Sequence, residues 1–312
     1  MNLKEYVSIA RPTHWFKNAF MLPGILIAVS LSNTPITDCL TNIALSLISA
    51  CLLSSANYVI NEWLDSKCDF HHPFKKQRPI AQGKLKIKFV FLEYILLVTL
   101  GLAIAWRISQ NFLVTSIILL IMGIVYNAKP FRLKEVVYLD VLSEAINNPI
   151  RLYLGWFSVI NNPFPPSSLV LGYWMGGAFL MAIKRFAEYR SFDNQQTATL
   201  YRKSFNDYTE DKLLISAFFY ALTSAFFIGV FLVKYRVELL LSLPCFALLF
   251  TWYLSLGFQK NSIAQNPEKL FGQKSFTLYV IFLSLLVIFL LKFNLPLLNW
   301  FLKNAFLSTQ SS

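Results

Sequence analysis

Nine stretches of predominantly apolar residues dominate this chain, at 14–32, 38–60, 87–107, 110–128, 137–160, 167–187, 212–233, 238–257 and 275–293. About 20 such residues are what an α-helix needs to cross the hydrocarbon core of a bilayer. Inside lipid the backbone must satisfy its own hydrogen bonds, which leaves helices or closed barrels. The pattern predicts an all-α, polytopic membrane bundle of about nine transmembrane helices, with residues 1–312 as one domain. Composition excludes the other classes. Charged residues are 14% and hydrophobic residues 56% of the chain, against roughly 25% charged in a soluble domain. Disorder is excluded by 29 phenylalanines. The four cysteines, at 39, 51, 68 and 245, form no C-x-x-C pair, so neither a disulfide framework nor a zinc site is indicated. The first span has an aromatic, Pro-rich flank and no small-residue cleavage site, which argues against a cleavable signal peptide.

The net charge of +12 is distributed unevenly. Of the 28 Lys and Arg residues, 22 fall at the N-terminus and in the connections after spans 2, 4, 6 and 8. Five fall on the other side, and Arg151 lies inside span 5. Positive residues stay in the cytoplasm, so the expected topology is a cell-membrane protein with a cytoplasmic N-terminus and an external C-terminus. The same sorting accounts for the basic charge without nucleic acid as a partner. The connections after spans 2 and 6 are the long polar ones, which makes the cytoplasmic face the place for function. The tail 294–307 is expected to lie at the interface as a short helix.

The end of span 2 reads Asn57-Tyr-Val-Ile-Asn61-Glu62-Trp-Leu-Asp65-Ser-Lys-Cys-Asp69. Asn57, Asn61, Asp65 and Asp69 recur every four residues, and each such step turns a helix by only about 40°. They form one oxygen-rich stripe on a helix leaving the membrane. Two carboxylates with carboxamides suit a hard cation such as Mg²⁺, which shares its shell with water and substrate phosphates. Lys75, Lys76, Arg78 and Lys84 follow closely, as expected if the ligand is a polyphosphate bridged by the metal and gripped by cations. His71 and His72 read as a solvated pair.

A second basic zone closes span 6. Lys184 and Glu188 are spaced i, i+4, as are Arg185 and Tyr189; Arg190, Arg202 and Lys203 come next. This zone is a second candidate for phosphate binding. Span 5 carries Asp140, Glu144, Asn147 and Arg151 on one helical face, which must look into the bundle or a wet cavity. Either an ion-pair network or a substrate contact fits that face. There is no P-loop, no G-x-S-x-G and no H-E-x-x-H.

The Asn61-Glu-x-x-Asp65-x-x-x-Asp69 run with Arg78-Pro-Ile-x-x-Gly83 resembles the first Asp-rich motif of the UbiA superfamily of intramembrane prenyltransferases. The resemblance covers essentially the whole chain. Arg11-Pro-Thr-His-Trp15-Phe-Lys17-Asn18, Tyr126-Asn-x-Lys129-Pro, Lys184-Arg185-x-x-Glu188 and Arg202-Lys203-Ser204-x-x-x-Tyr208-Thr209 are similar to the polyprenyl-phosphate phosphoribosyltransferase group within it. Two departures stand out. Glu62 replaces the Asp found in many members, and the end of span 6 is cationic where prenyl-transferring members carry a second Asp-rich motif.

The resemblance implies Mg²⁺-dependent transfer of 5-phosphoribose from phosphoribosyl pyrophosphate (PRPP) to a polyprenyl phosphate at the cytoplasmic face. It implies metal and catalytic roles for Asn61, Asp65 and Asp69. Substrate contacts fall to Lys17, Asn18, Asn57, Lys76, Arg78, Tyr126, Lys184, Arg185, Glu188, Arg190, Arg202 and Lys203. The alternative is movement of a prenyl group from its diphosphate to an aromatic or quinone-like acceptor. A transporter-like, non-enzymatic protein is a third reading, for which broken spans in matching halves would speak. Only Asn147-Asn148-Pro149 breaks the pattern.

Overall fold

The computed structural model describes residues 3–32, 34–69, 75–192, 194–259, 262–265 and 267–293, and among them there is no strand. Twelve α-helices follow in order. They are α1 (Leu3–Ile9), α2 (Leu22–Ser32), α3 (Ile36–Asp69), α4 (Ile87–Ile108), α5 (Gln110–Asn127) and α6 (Leu139–Ala145). Then come α7 (Asn147–Phe157), α8 (Ser167–Tyr189), α9 (Gln195–Tyr201), α10 (Glu210–Tyr235), α11 (Leu243–Gly257) and α12 (Lys274–Lys292). A 3₁₀ stretch, Pro12–Met21, runs straight into α2. The expected tail helix 294–307 and the His71–His72 pair lie outside the described residues.

Seven described helical stretches are long and apolar enough to cross a membrane: Lys4–Ser32, Ile36–Ser66, Ile87–Ile108, Gln110–Asn127, Glu210–Tyr235, Val237–Gly257 and Lys274–Lys292. The chain is thus a multi-pass membrane protein, and two of the nine expected spans differ from expectation. The span at 137–160 is two short helices meeting at Ile146. Pro149 has no N–H to give to the Ala145 carbonyl, and Asn147 Nδ2 turns back to the Glu144 carbonyl (3.0 Å). The other, α8, has the length at 23 residues. Its glycines, its Tyr–Trp pair and the charges Lys184, Arg185 and Glu188 dilute its apolar character.

Lipid offers no hydrophobic drive for helix–helix contact, so close approach relies on small residues and polar groups. A Cβ on Gly24 would lie 2.1 Å from the Leu152 carbonyl oxygen, and one on Gly155 would lie 2.1 Å from that of Met21. These reciprocal contacts seat α2 on α7 and carry the 3₁₀ stretch before α2 against the same helix. On α3, Ser49 Oγ donates to the Gly101 carbonyl of α4 (2.8 Å), and Asn57 Nδ2 donates to the Leu119 carbonyl of α5 (3.0 Å). The long helix α3 is thereby held along both helices of the α4–α5 hairpin. The turn between α4 and α5 is capped by Ser109, whose Oγ accepts from the Phe112 N–H (3.1 Å).

Candidate active site

The stripe on α3 is helical throughout, but its four residues face different tasks. Asn57 is committed to packing. Its side chain fills the space over Gly123, where a Cβ would fall 2.2 Å from Asn57 Oδ1. That Oδ1 is buried with no partner among the described residues. Asn61 is half-buried and makes no hydrogen bond to a described residue. The side chain of Asp69 lies outside the described residues. Glu62, next to Asn61, turns elsewhere and pairs with Arg11 Nη2 (3.2 Å).

Asp65 is 8% exposed and is met by two cations from the connection after α5. Arg132 Nη2 donates to Asp65 Oδ1 (3.0 Å), and Lys134 Nζ donates to both carboxylate oxygens. Neither cation was among the expected site residues. The backbone explains their reach. Arg132 sits in the left-handed region at φ 40°, and its Nη1 donates to the Asn127 carbonyl at the end of α5 (3.2 Å). Lys134 Nζ also donates to Asn127 Oδ1 (3.0 Å). Burial pushes the Lys134 ammonium below its ordinary pKa, against the opposing pull of Asp65. Next to it, Glu135 accepts from Arg132 Nε (2.6 Å) and Lys203 Nζ (3.2 Å). Burial would raise the Glu135 carboxyl, but these two hydrogen bonds prevail and hold it low.

A second network lies on α6 and α8. Arg185 is fully buried, and its three nitrogens each meet a different carboxylate. Nε donates to Asp140 Oδ2 (3.2 Å), Nη1 to Glu188 Oε2 (3.0 Å) and Nη2 to Glu144 Oε2. Asp140 is fully buried and also accepts from Ser204 Oγ (3.0 Å) and Tyr208 Oη (2.8 Å). Tyr126 Oη donates to Glu144 (3.1 Å). Arg202 sits 3.8 Å from Asp140 and 3.9 Å from Glu188, and Lys184 is 3.9 Å from Glu188. The i, i+4 pair on α8 and the inward face of α6 are therefore as the spacing predicts. The neighbouring Lys203, bonded to Glu135, ties this network to the one on Asp65.

The remaining candidates divide. Arg78 lies near enough to Tyr201 to interact with it electrostatically, which brings the two long connections together. Lys76 is exposed. Lys17 Nζ lies 5.9 Å from the centre of the Tyr58 ring. Asn18 is buried and accepts from Arg151 Nε (3.0 Å). Arg190 is apart from both networks: it lies over the Phe186 and Phe258 rings and pairs with Glu210 at 3.5 Å.

The donor chemistry of Asn61, Asp65 and Asp69 fits a hard divalent cation. Among the described residues no group of three or more His, Cys, Asp and Glu gathers for one, and Asp140, Glu144 and Glu188 are paired with arginines. A metal at the stripe would take the place Lys134 now holds on Asp65. The cations Arg132, Lys134, Lys203 and Arg202 border that place, as a polyphosphate would require.

Sequence and fold comparisons bear on the family and the fold. The profile of the UbiA prenyltransferase family matches residues 19–286. A decaprenyl-phosphate phosphoribosyltransferase from Mycolicibacterium smegmatis is 28% identical over 211 residues, covering 66% of this chain and 63% of that protein. The enzyme of the same name from Mycobacterium tuberculosis is 27% identical over 211 residues, covering 66% of this chain and 67% of its own. The chain thus spans about two thirds of the length of these relatives. Among solved structures, a UbiA homolog from Archaeoglobus fulgidus bound to GPP and Mg²⁺ superposes with a TM-score of 0.67 at 20% identity, covering 91% of this chain and 99% of that one.

Proposed function

Because the chain belongs to the UbiA prenyltransferase family, whose members are membrane-embedded transferases, we propose that it moves a 5-phosphoribosyl group from PRPP to a polyprenyl phosphate. Mg²⁺ would be held by Asn61, Asp65 and Asp69 on the cytoplasmic side. The observation that carries this reading is how the second wall of the site spends its acids. Asp140, Glu144 and Glu188 are all engaged by Arg185 and Arg202. That wall presents cations, whereas a site for two metal-bridged diphosphate contacts calls for free carboxylates on both walls. The phosphoribosyltransferase relatives support the same choice.

The metal, when bound, neutralises negative charge growing on the leaving pyrophosphate. The chain's own residues do the rest. Arg132 and Lys134 are poised beside Asp65 and would donate hydrogen bonds to the oxygens of a pyrophosphate bound there. Lys76 and Arg78 reach the same anion from the connection after α3. Arg185 positions rather than binds: it fixes Glu144 and Glu188, which in turn orient Tyr126, Lys184 and Arg202. The acceptor phosphate is already an anion at neutral pH, so no general base is required of the protein.

Purified protein supplied with labelled PRPP, a polyprenyl phosphate and Mg²⁺ tests the reading. Release of pyrophosphate with formation of a phosphoribosylated lipid is the expected result. Pyrophosphate released only from a polyprenyl diphosphate with an aromatic acceptor would replace this reading with prenyl transfer.

A further inference from the structure

Two arginines are buried in the interior of this bundle, and their surroundings differ in kind. Arg185 has three carboxylates. Arg151, on α7 and only 7% exposed, has none. Its Nε donates to Asn18 Oδ1 (3.0 Å) and its Nη1 to the Asn147 carbonyl (3.3 Å). No described carboxylate pairs with it, and three of the five N–H groups of the guanidinium have no partner among the described residues. The titratable groups that face it are Tyr58, Tyr173 and Cys51. Tyr173 Oη is turned away to the Phe20 carbonyl (3.0 Å), and Asn18 Nδ2 is turned to Cys51 (3.2 Å).

More positive charge stands close by. The same Tyr58 ring is approached by Lys17 Nζ, which faces Glu144 but forms no salt bridge with a described residue. A buried cation without a counter-charge is costly, and in membrane interiors such groups are retained for function. The spare donors of Arg151 form a planar fork suited to two oxygens of one anion.

The place is distinct from the Asp65 cluster. Asn18 Oδ1 also accepts from Ser54 Oγ (3.4 Å). Along the unbroken helix α3, Ser54 and Asp65 are separated by roughly 16 Å at 1.5 Å per residue. A diphosphate held at Asp65 does not account for a charge so far inside.

We propose that Arg151, seated on Asn18 with Lys17 beside it, anchors a phosphomonoester site inside the bundle, apart from the carboxylate stripe. The inference rests on the reading that both substrates are phosphorylated. Each of them carries a phosphomonoester: the head group of the lipid acceptor and the 5-phosphate of the donor.

The test is binding without turnover. Full-length protein in detergent with EDTA is titrated with farnesyl phosphate and, separately, with ribose 5-phosphate, by calorimetry. Arg151→Met removes the charge-assisted hydrogen bonds, and affinity for the resident monoester falls at least tenfold, the equivalent of about 1.4 kcal/mol out of the 1.5–3 kcal/mol typical of such bonds. Loss confined to farnesyl phosphate assigns the site to the lipid head group, and loss confined to ribose 5-phosphate assigns it to the donor. Asn18→Asp is the second variant, which decides the matter if Arg151→Met does not fold. It supplies the missing carboxylate beside Arg151, so the protein stays folded while the monoester is displaced, again by at least tenfold. If neither compound binds the wild type, or if both variants bind them normally, the site does not exist. Monoester binding lost in the variants of a protein that shows no turnover of PRPP leaves this site standing and removes the phosphoribosyl reading. Turnover of PRPP with normal binding by the variants does the reverse.

Discussion

Replacing Arg185 by Met separates a scaffold from a substrate contact. The side chain has no exposed surface and three carboxylate partners. Its loss strands Asp140, at 0% side-chain exposure, and Glu188, at 7%, whereas Glu144 is 26% exposed and recovers solvation. Removing one partner of a buried ion pair costs about 3–5 kcal/mol. Arg202 remains 3.8–3.9 Å from both buried acids, which places the expected loss near the lower end, about 3 kcal/mol. At about 2 °C per kcal/mol, a value for large domains, the melting midpoint in detergent, followed by tryptophan fluorescence, drops by about 6 °C. Adding Asp140→Asn to Arg185→Met removes one stranded charge, so the double variant is more stable than the sum of the two single changes by at least about 1 kcal/mol. Measured below its melting range, Arg185→Met loses kcat through disordered Tyr126 and Arg202, with KM for the phosphorylated donor within a factor of two or so of wild type, since a residue that contacts no ligand adds no ground-state binding. A variant as stable as wild type, with a strongly raised KM, would show that Arg185 grips phosphate directly and that the ion-pair argument is wrong.

Three further outcomes follow from the same geometry. Lys134→Met frees the Asp65 carboxylate from its ammonium, so Mn²⁺ binding followed by electron paramagnetic resonance tightens severalfold while turnover falls; weaker Mn²⁺ binding would mean that Lys134 does not compete for Asp65. Gly155→Ala pushes a methyl group into the Met21 carbonyl oxygen at 2.1 Å, and overpacking of this kind costs about 1–3 kcal/mol; an unchanged melting midpoint would refute the tight seating of the Pro12–Met21 stretch on α7. A single cysteine introduced at Asn161 should react with an impermeant maleimide added outside intact cells, and labelling only after lysis would overturn the topology proposed from the charge sorting.

What the sequence reveals and what it hides divide along sequence separation. The helices are legible because their signals are local: apolar runs of the right length, and a four-residue spacing that places Asn61 and Asp65 on one face of α3. The interruption at Ile146 is foreshadowed by Asn147-Asn148-Pro149, a local signal too. Partnerships are not local. The separation of 67 positions from Asp65 to Arg132 hides a salt bridge that depends on α3 lying along α5, and that in turn depends on Gly123 admitting Asn57. The same contact withdraws Asn57 from the stripe its spacing assigns it to. Arg151 and Arg185 make the point most sharply. In the sequence both are single arginines on the polar faces of apolar segments, and a face containing Asp140, Glu144, Asn147 and Arg151 looks able to neutralise itself. The break in the helix divides that face. Asp140 and Glu144 go to the α8 arginine, leaving Arg151 with carboxamide and carbonyl oxygens alone. Charge balance inside the bundle is therefore set locally, by which helix α6 leans on, and it leaves Arg151 as a buried cation with no described carboxylate beside it.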